Sequence, residues 1–257
     1  MNRQQIWVAF YTIVYKEVRR FLRIWPQTLL PSAITMTLYF VIFGKLIGSR
    51  IGEMGGFSYM QFVVPGLIMM AVVTNAYANV VSSFFGAKYQ HSIEELLVSP
   101  VPNYVILVGF VTGGVIRGLC VAVVVTLLSL FFSDLSIHNP LITVAVVVMT
   151  AVLFALAGFI NAVYANNFDD ISIIPTFVLT PLIYLGGVFY SMDLLSDFWI
   201  GVSRINPMLY VINAFRYGVL GVSDVNVVWS FTMVAVFMVA AFMYSLHLLN
   251  TGKRLRQ

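Results

Sequence analysis

This sequence predicts an all-α integral membrane protein with about six transmembrane helices, and three observations carry that expectation. Of its 257 residues, 60% are hydrophobic and only 9% are charged, with a mean hydropathy of +0.94. A water-facing globule carries roughly 25% charge, so lipid must be the solvent for most of this surface. The few charges are separated by long uncharged runs, and a hydrocarbon core about 30 Å thick takes roughly 20 helical residues to cross. Basic residues gather before the first such run and after the last.

The elements follow in order. Residues 1–25 place Trp7, Tyr11, Val14, Val18, Phe21 and Trp25 at intervals of four and three, which is one helical face. Lys16, Arg19, Arg20 and Arg23 occupy the remaining faces. This is an amphipathic interfacial helix at the inner leaflet, its bases near lipid phosphates. It serves as a topological anchor, or it also docks a cytosolic partner. Charge spread along it excludes a cleavable signal peptide. The first span, 26–44, is entered through Trp25-Pro26, where proline suits a first turn. The second covers 59–83. The third runs through Arg117 from 103 to 131, because the piece after Arg117 is too short to cross alone. The fourth, fifth and sixth occupy 141–164, 171–191 and 226–249. Between the last two, 193–224 is neither a clean span nor plainly polar.

Six crossings put both termini on one side. Arg3, Lys16, Arg19, Arg20 and Arg23 at one end and Lys253, Arg254 and Arg256 at the other place that side in the cytoplasm. Lys45, Arg50, Arg204 and Arg216 then face outward or lie near the outer side, so the bias is incomplete. The same clustering accounts for the net charge of +4 as topology rather than as a nucleic-acid footprint. Cys120 is the one cysteine, which rules out an internal disulfide, and His91, His138 and His247 lack metal-ligand spacing.

No G-x-x-x-x-G-K-[ST] sequence occurs, so the chain does not hydrolyse ATP through a P-loop of its own. No acid falls in the middle of a span, which argues against an ion-driven carrier. Gly201-Val202-Ser203 and Gly221-Val222-Ser223 fit a G-x-S protease pattern, but they lie outside while His247 lies near the inner end of the sixth span. Arg117 is the one charge deep in a span, on a face shared with Gly109 and Gly113. It lines a polar pathway, or it is a satisfied member of a helix network. Asn75, Asn79, Ser82 or Ser83, and Gly86 form a polar stripe on the second span, suited to cargo contact or to interhelical adhesion. Pro175 and Pro181 favour a bend in the fifth.

The most informative loop is His91-Ser92-Ile93-Glu94-Glu95-Leu96-Leu97-Val98-Ser99-Pro100. Ser92 as N-cap and Glu95 three residues on make a capping-box pattern. Ile93, Leu96 and Leu97 then form a short apolar face, which fits a protein groove or rests on lipid.

The segment from Ile93 to Pro100 resembles the signature of ABC-2-type transport permeases. A later family pattern is matched by Gly187-Val188-Phe189-Tyr190, Ile205-Asn206-Pro207-Met208 and Ala214-Phe215-Arg216-Tyr217-Gly218. The motifs are short but correctly ordered, and the resemblance covers essentially the whole chain. One departure is Ser196, where relatives often carry proline.

The resemblance implies a permease of the bacterial cytoplasmic (inner) membrane that pairs with a second copy of itself and with two ABC ATP-binding subunits. ATP and Mg would bind those subunits, and this chain would hold no cofactor and catalyse nothing by itself. The 91–99 loop would be a coupling helix, with Ile93, Leu96 and Leu97 in a cleft of the ATPase and Glu94 and Glu95 orienting it. The interfacial helix would touch the same subunit. The 190–218 stretch, with Asn206, Pro207 and Arg216 and led by Gly187, would dip back into the outer leaflet as short helices closing the exit. The expectation is an exporter of amphipathic or hydrophobic cargo. An ATPase-independent carrier, or a non-transport assembly or anchoring protein, is the alternative.

Overall fold

A computed structural model describes residues 1–252, and of Lys45 the backbone alone. Lys253, Arg254 and Arg256, which entered the topology argument, lie outside the described residues. The chain is almost entirely helical, with one two-residue hairpin, Glu53–Met54 against Phe57–Ser58. Helix α1 is Arg3–Arg23, α2 is Trp25–Ile51, α3 is Tyr59–Tyr89, and α4 is Ser92–Val98. Then follow α5, Asn103–Ser129, α6, Pro140–Tyr164, and α7, Asp170–Tyr184. Two short helices, α8 (Asp197–Ile205) and α9 (Pro207–Leu220), precede α10, Val227–Thr251.

Among the described residues five helices, α2, α3, α5, α6 and α10, are long and apolar enough to cross a membrane. Local chemistry sets their starts. Ser58 and Gln61 cap α3 reciprocally, Asn139 caps α6 ahead of Pro140, and Asn226 caps α10. Two spans outrun the hydropathy boundaries: α2 reaches Ile51 rather than 44, and α3 reaches Tyr89 rather than 83. Helix propensity and packing continue after the apolar run ends.

The helix in the fifth expected span, 171–191, is shorter than expected. Helix α7 stops at Tyr184, and its 15 residues rise roughly 22 Å, short of a full core. The stop is steric and conformational. A Cβ on Gly186 would meet Met208 Cβ at 2.7 Å, and Gly187 adopts φ +80°, open to glycine but not to a helix. Pro175 starts a wider π-helical turn through Leu179, where Thr180 Oγ1 donates to the Pro175 carbonyl.

Helix α3 is the core. It is buried along most of its length and packs on α5, α6 and α9. Glycines set the closest approaches: a Cβ on Gly158 would meet the Tyr77 carbonyl at 2.5 Å, and one on Gly114 would meet Val80 Cγ2 at 2.6 Å. By contrast, α2 and α10 leave long apolar rows exposed, including Leu30, Ile34, Leu38, Val236, Val239 and Met243.

The two ends of α3 locate the chain around α7. Phe168 meets Phe85 and Tyr89 at one end, while Tyr59 at the other donates to the Phe189 carbonyl at 3.1 Å. Helix α9 runs along α6 toward its start. Pro207 lines one cavity with Leu153, Phe154 and Ala157, halfway along α6, whereas Gly218 and Val219 accept from the backbone of Asn139 and His138 at the start of α6.

Candidate functional site

The short helix α4 stands beside the Tyr89 end of α3. The expected capping box does not form. His91, at φ 60°, takes the cap position, and the Ser92 hydroxyl donates to the Ala87 carbonyl instead, at 3.2 Å. A left-handed residue turns the chain sharply off α3, which leaves Ser92 already inside the helix. His91 Nδ1 lies 3.3 Å from Glu94 Oε1.

The orientation of α4 also differs from expectation. Ile93 is 1% exposed within this chain, and Leu96 and Leu97 pack against the same core. Ile93 therefore fastens α4 to its own permease, while Leu96 and Leu97 stay partly exposed. Its outward surface is Glu95 and Val98, the latter 83% exposed, with Glu94 half-exposed.

Helix α1 does more than lie on a lipid surface. Ile13, Glu17 and Phe21, spaced by four, are buried. Ile13 sits over Gly109 and Glu17 over Gly113 of α5, where added Cβ atoms would fall at 2.6 and 2.5 Å. Of the expected apolar face, Phe21 turns inward while Trp7 and Tyr11 remain exposed.

A polar seam follows this contact. Ser83 Oγ donates to Glu17 Oε1 at 2.6 Å, and Arg20 Nη2 reaches Glu17 Oε2 at 3.4 Å. The same Nη2 donates to the Asn79 carbonyl and Oδ1 at 3.0 and 3.1 Å, and Nη1 lies 3.5 Å from Ser82 Oγ. One turn and a further residue deeper, Arg117 Nη2 donates to Asn75 Oδ1 at 3.0 Å and toward the Thr28 carbonyl at 3.4 Å. Asn75 Nδ2 in turn donates to Ser32 Oγ at 2.9 Å. The stripe on α3 is thus joined to both arginines, and Asn75, Asn79 and Ser83 hold helices together. Sequence reasoning missed Glu17. The i, i+4, i+8 spacing of Ile13, Glu17 and Phe21 against glycines four apart was the signal.

At the Tyr59 end of α3 the late motifs converge. Arg216 is fully buried; its Nη2 donates to the Gly187 carbonyl at 2.7 Å, its Nη1 lies 3.7 Å from Asp224 Oδ2, and its guanidinium carbon sits 3.8 Å from the Phe62 ring centroid. Asp224 also accepts from Ser191 Oγ and Met192 N, both at 3.1 Å. Asn206 caps α9 through Met208 N and donates Nδ2 to the Leu182 carbonyl at 2.6 Å, with Pro207 in the first turn. Ser203 and Ser223 of the G-x-S matches donate to the carbonyls of Leu185 and Val225, so each is engaged in holding a turn.

The fold and these contacts define a multi-pass helical membrane protein whose non-spanning segments are tied to a buried central helix. The profile of the ABC-2 type transporter family matches residues 8–220, and the chain belongs to that family. It is 60% identical to the inner membrane transport permease YadH of Escherichia coli (strain K12) over 250 residues, 97% of this chain and 98% of that one. Nodulation protein J of Rhizobium leguminosarum bv. viciae is 24% identical over 214 residues, 83% of each chain. Nodulation protein J of Neorhizobium galegae is 22% identical over 259 residues, 98% of this chain and 94% of that one. The protein is a membrane transport permease of the ABC-2 type, multi-pass in the inner membrane.

Proposed function

We propose that this permease is the membrane half of an ATP-driven exporter, two copies joining two ABC ATP-binding subunits that carry ATP and Mg. Its cargo is an amphipathic or hydrophobic molecule moved outward. Both termini are cytoplasmic, as the bases of α1 favour. In this reading α7 and the 185–190 turn form the sixth crossing. Support comes from Phe168 and Phe189, which meet opposite ends of α3. Helices α8 and α9 then dip into the outer leaflet and return, consistent with Pro207 against the middle of α6.

The observation that carries the proposal is α4, a short helix whose buried Ile93 ties it to the core. A partner pressing on Glu95 and Val98 moves the helix as a unit. Prolines 100 and 102 on one side and the left-handed His91 on the other leave little slack. The displacement therefore reaches α3 and α5 directly, and through α3 the helices packed on it.

The test is the double variant Glu95→Arg/Val98→Asp, with co-purifying ATPase activity and transport measured from native membranes. Loss of both with unchanged membrane insertion is expected. An intact, active complex sinks the coupling assignment.

A further inference from the structure

Helix α1 has three faces rather than two. One is buried on α5, and a second exposes Trp7, Tyr11, Tyr15 and Leu22. The third gathers the bases. Thr12, Tyr15, Lys16, Arg19, Arg20 and Arg23 line an open cavity of 530 Å³. Beside it α3 breaks its otherwise continuous burial along one line: Thr74 and Ser82 are exposed, and Ala78 and Gly86 half-exposed. Arg20 spans the two walls through its contacts with Asn79 and Ser82, and its buried Nε has no acceptor.

We propose that this groove binds the phosphate-bearing headgroup of an inner-leaflet amphiphile, whose apolar part lies along the exposed aromatic face of α1. Three guanidinium groups and an ammonium concentrate positive charge on one spot, and guanidinium forks match phosphate oxygens in pairs. Tyr15 adds a hydroxyl donor and belongs to both the basic cavity and the apolar face. A single site thus offers charge and hydrocarbon contact side by side, which suits an amphiphile and not a soluble anion.

Position favours a membrane ligand over a cytosolic protein. Ser82 lies seven residues before the end of α3 at Tyr89, roughly 10 Å of helix rise away from the turn into α4. The exposed line on α3 runs deeper still, to Thr74, next to the Arg117 partner Asn75. The site requires no nucleotide, so it stands or falls separately from the export reading.

The experiment uses the full-length permease in nanodiscs of phosphatidylcholine. Fluorescent phosphatidic acid is titrated against a phosphatidylcholine analogue, with glycerol phosphate as a soluble competitor. Arg19 and Arg23 are exposed, so Arg19→Gln/Arg23→Gln is expected to fold, verified by unchanged elution and unfolding temperature. Arg50→Gln/Arg204→Gln removes the same charge elsewhere, and Arg19→Lys/Arg23→Lys keeps the charge in place. Wild type should prefer phosphatidic acid. The Gln pair at 19 and 23 should weaken it at least about tenfold, with the control pair unchanged and the Lys pair retaining most of the binding. Unaltered affinity in the 19/23 Gln pair, equal losses in both Gln pairs, or displacement by glycerol phosphate at lipid-like concentrations overturns the site.

Discussion

Two arginine clusters of this permease, one at the Tyr59 end of α3 and one along the rest of that helix, are held by different means. In the first, Arg216 is fixed to a backbone carbonyl of a tight turn, to Asp224 and to the Phe62 ring, so three separate elements meet on one guanidinium. In the second, Arg117 and Arg20 reach the side-chain amides of Asn75 and Asn79, two positions on one helix, and also the backbone carbonyls of Thr28 and Asn79. Gly187 at φ +80° holds its turn in a conformation open to glycine. Side-chain amides can rotate and keep a bond while one helix shifts along another. The Arg216 knot joins separate elements at one point, and the seam along α3 joins helices chiefly through side chains.

The largest effect should come from breaking the knot. Arg216→Leu leaves the buried Gly187 carbonyl without its donor and the partly accessible Asp224 with only Ser191 and Met192 as donors. It should destabilise the permease by about 3–5 kcal/mol, read by denaturant unfolding in detergent. Arg117→Leu orphans Asn75 Oδ1 and should lose about 1–3 kcal/mol. Equal losses would erase the distinction between the two clusters.

Next comes the coupling inside the seam. Ser83 donates to a buried carboxylate, so a double-mutant cycle of Glu17→Gln and Ser83→Ala should show a coupling of about 1.5–3 kcal/mol. Additive losses would mean that the 2.6 Å contact carries no shared energy. Steric release follows. Gly113→Ala places a methyl 2.5 Å from Glu17 Cβ and should push α1 off α5, at roughly 1–3 kcal/mol. Limited proteolysis should then cut within α1 sooner than in wild type, and an unchanged cleavage rate would show that the contact tolerates the methyl.

The pattern of what was legible in the sequence follows the same division. Hydropathy finds α3, α5, α6 and α10 to within a few residues because an apolar run in lipid has few alternatives to helix. It overruns α7, since the break at Gly186-Gly187 depends on Met208 arriving from another element. The family motifs around Gly187, Asn206 and Arg216 were visible as words, but only the fold shows that Arg216 closes on the Gly187 carbonyl. For α4 the amphipathic pattern was read correctly and its direction was not. A sequence cannot say whether an apolar face serves an outside groove or the chain's own core, and here Ile93 serves the core. Glu17 was lost among the bases around it, because its partner Ser83 is 66 residues away.

The smallest expected effect tests how well the outer segment is preformed. Ser196 stands where the family resemblance leads one to expect proline, and its backbone, at φ −70° and ψ 157°, lies within the range of proline. Leu195 before it is extended, at φ −89° and ψ 147°, the conformation that a following proline requires. The Ser196 side chain makes no capping bond, while its carbonyl accepts from Ile200 N and would still do so in a proline variant. Ser196→Pro should therefore stabilise the permease by about 0.4–1 kcal/mol, by narrowing the unfolded chain rather than by any new contact. A gain of that size in denaturant unfolding would show that the approach to α8 is already held in the geometry proline imposes. A loss would show that the outer segment needs freedom at this joint, which would bring it closer in character to the seam along α3 than to the Arg216 knot.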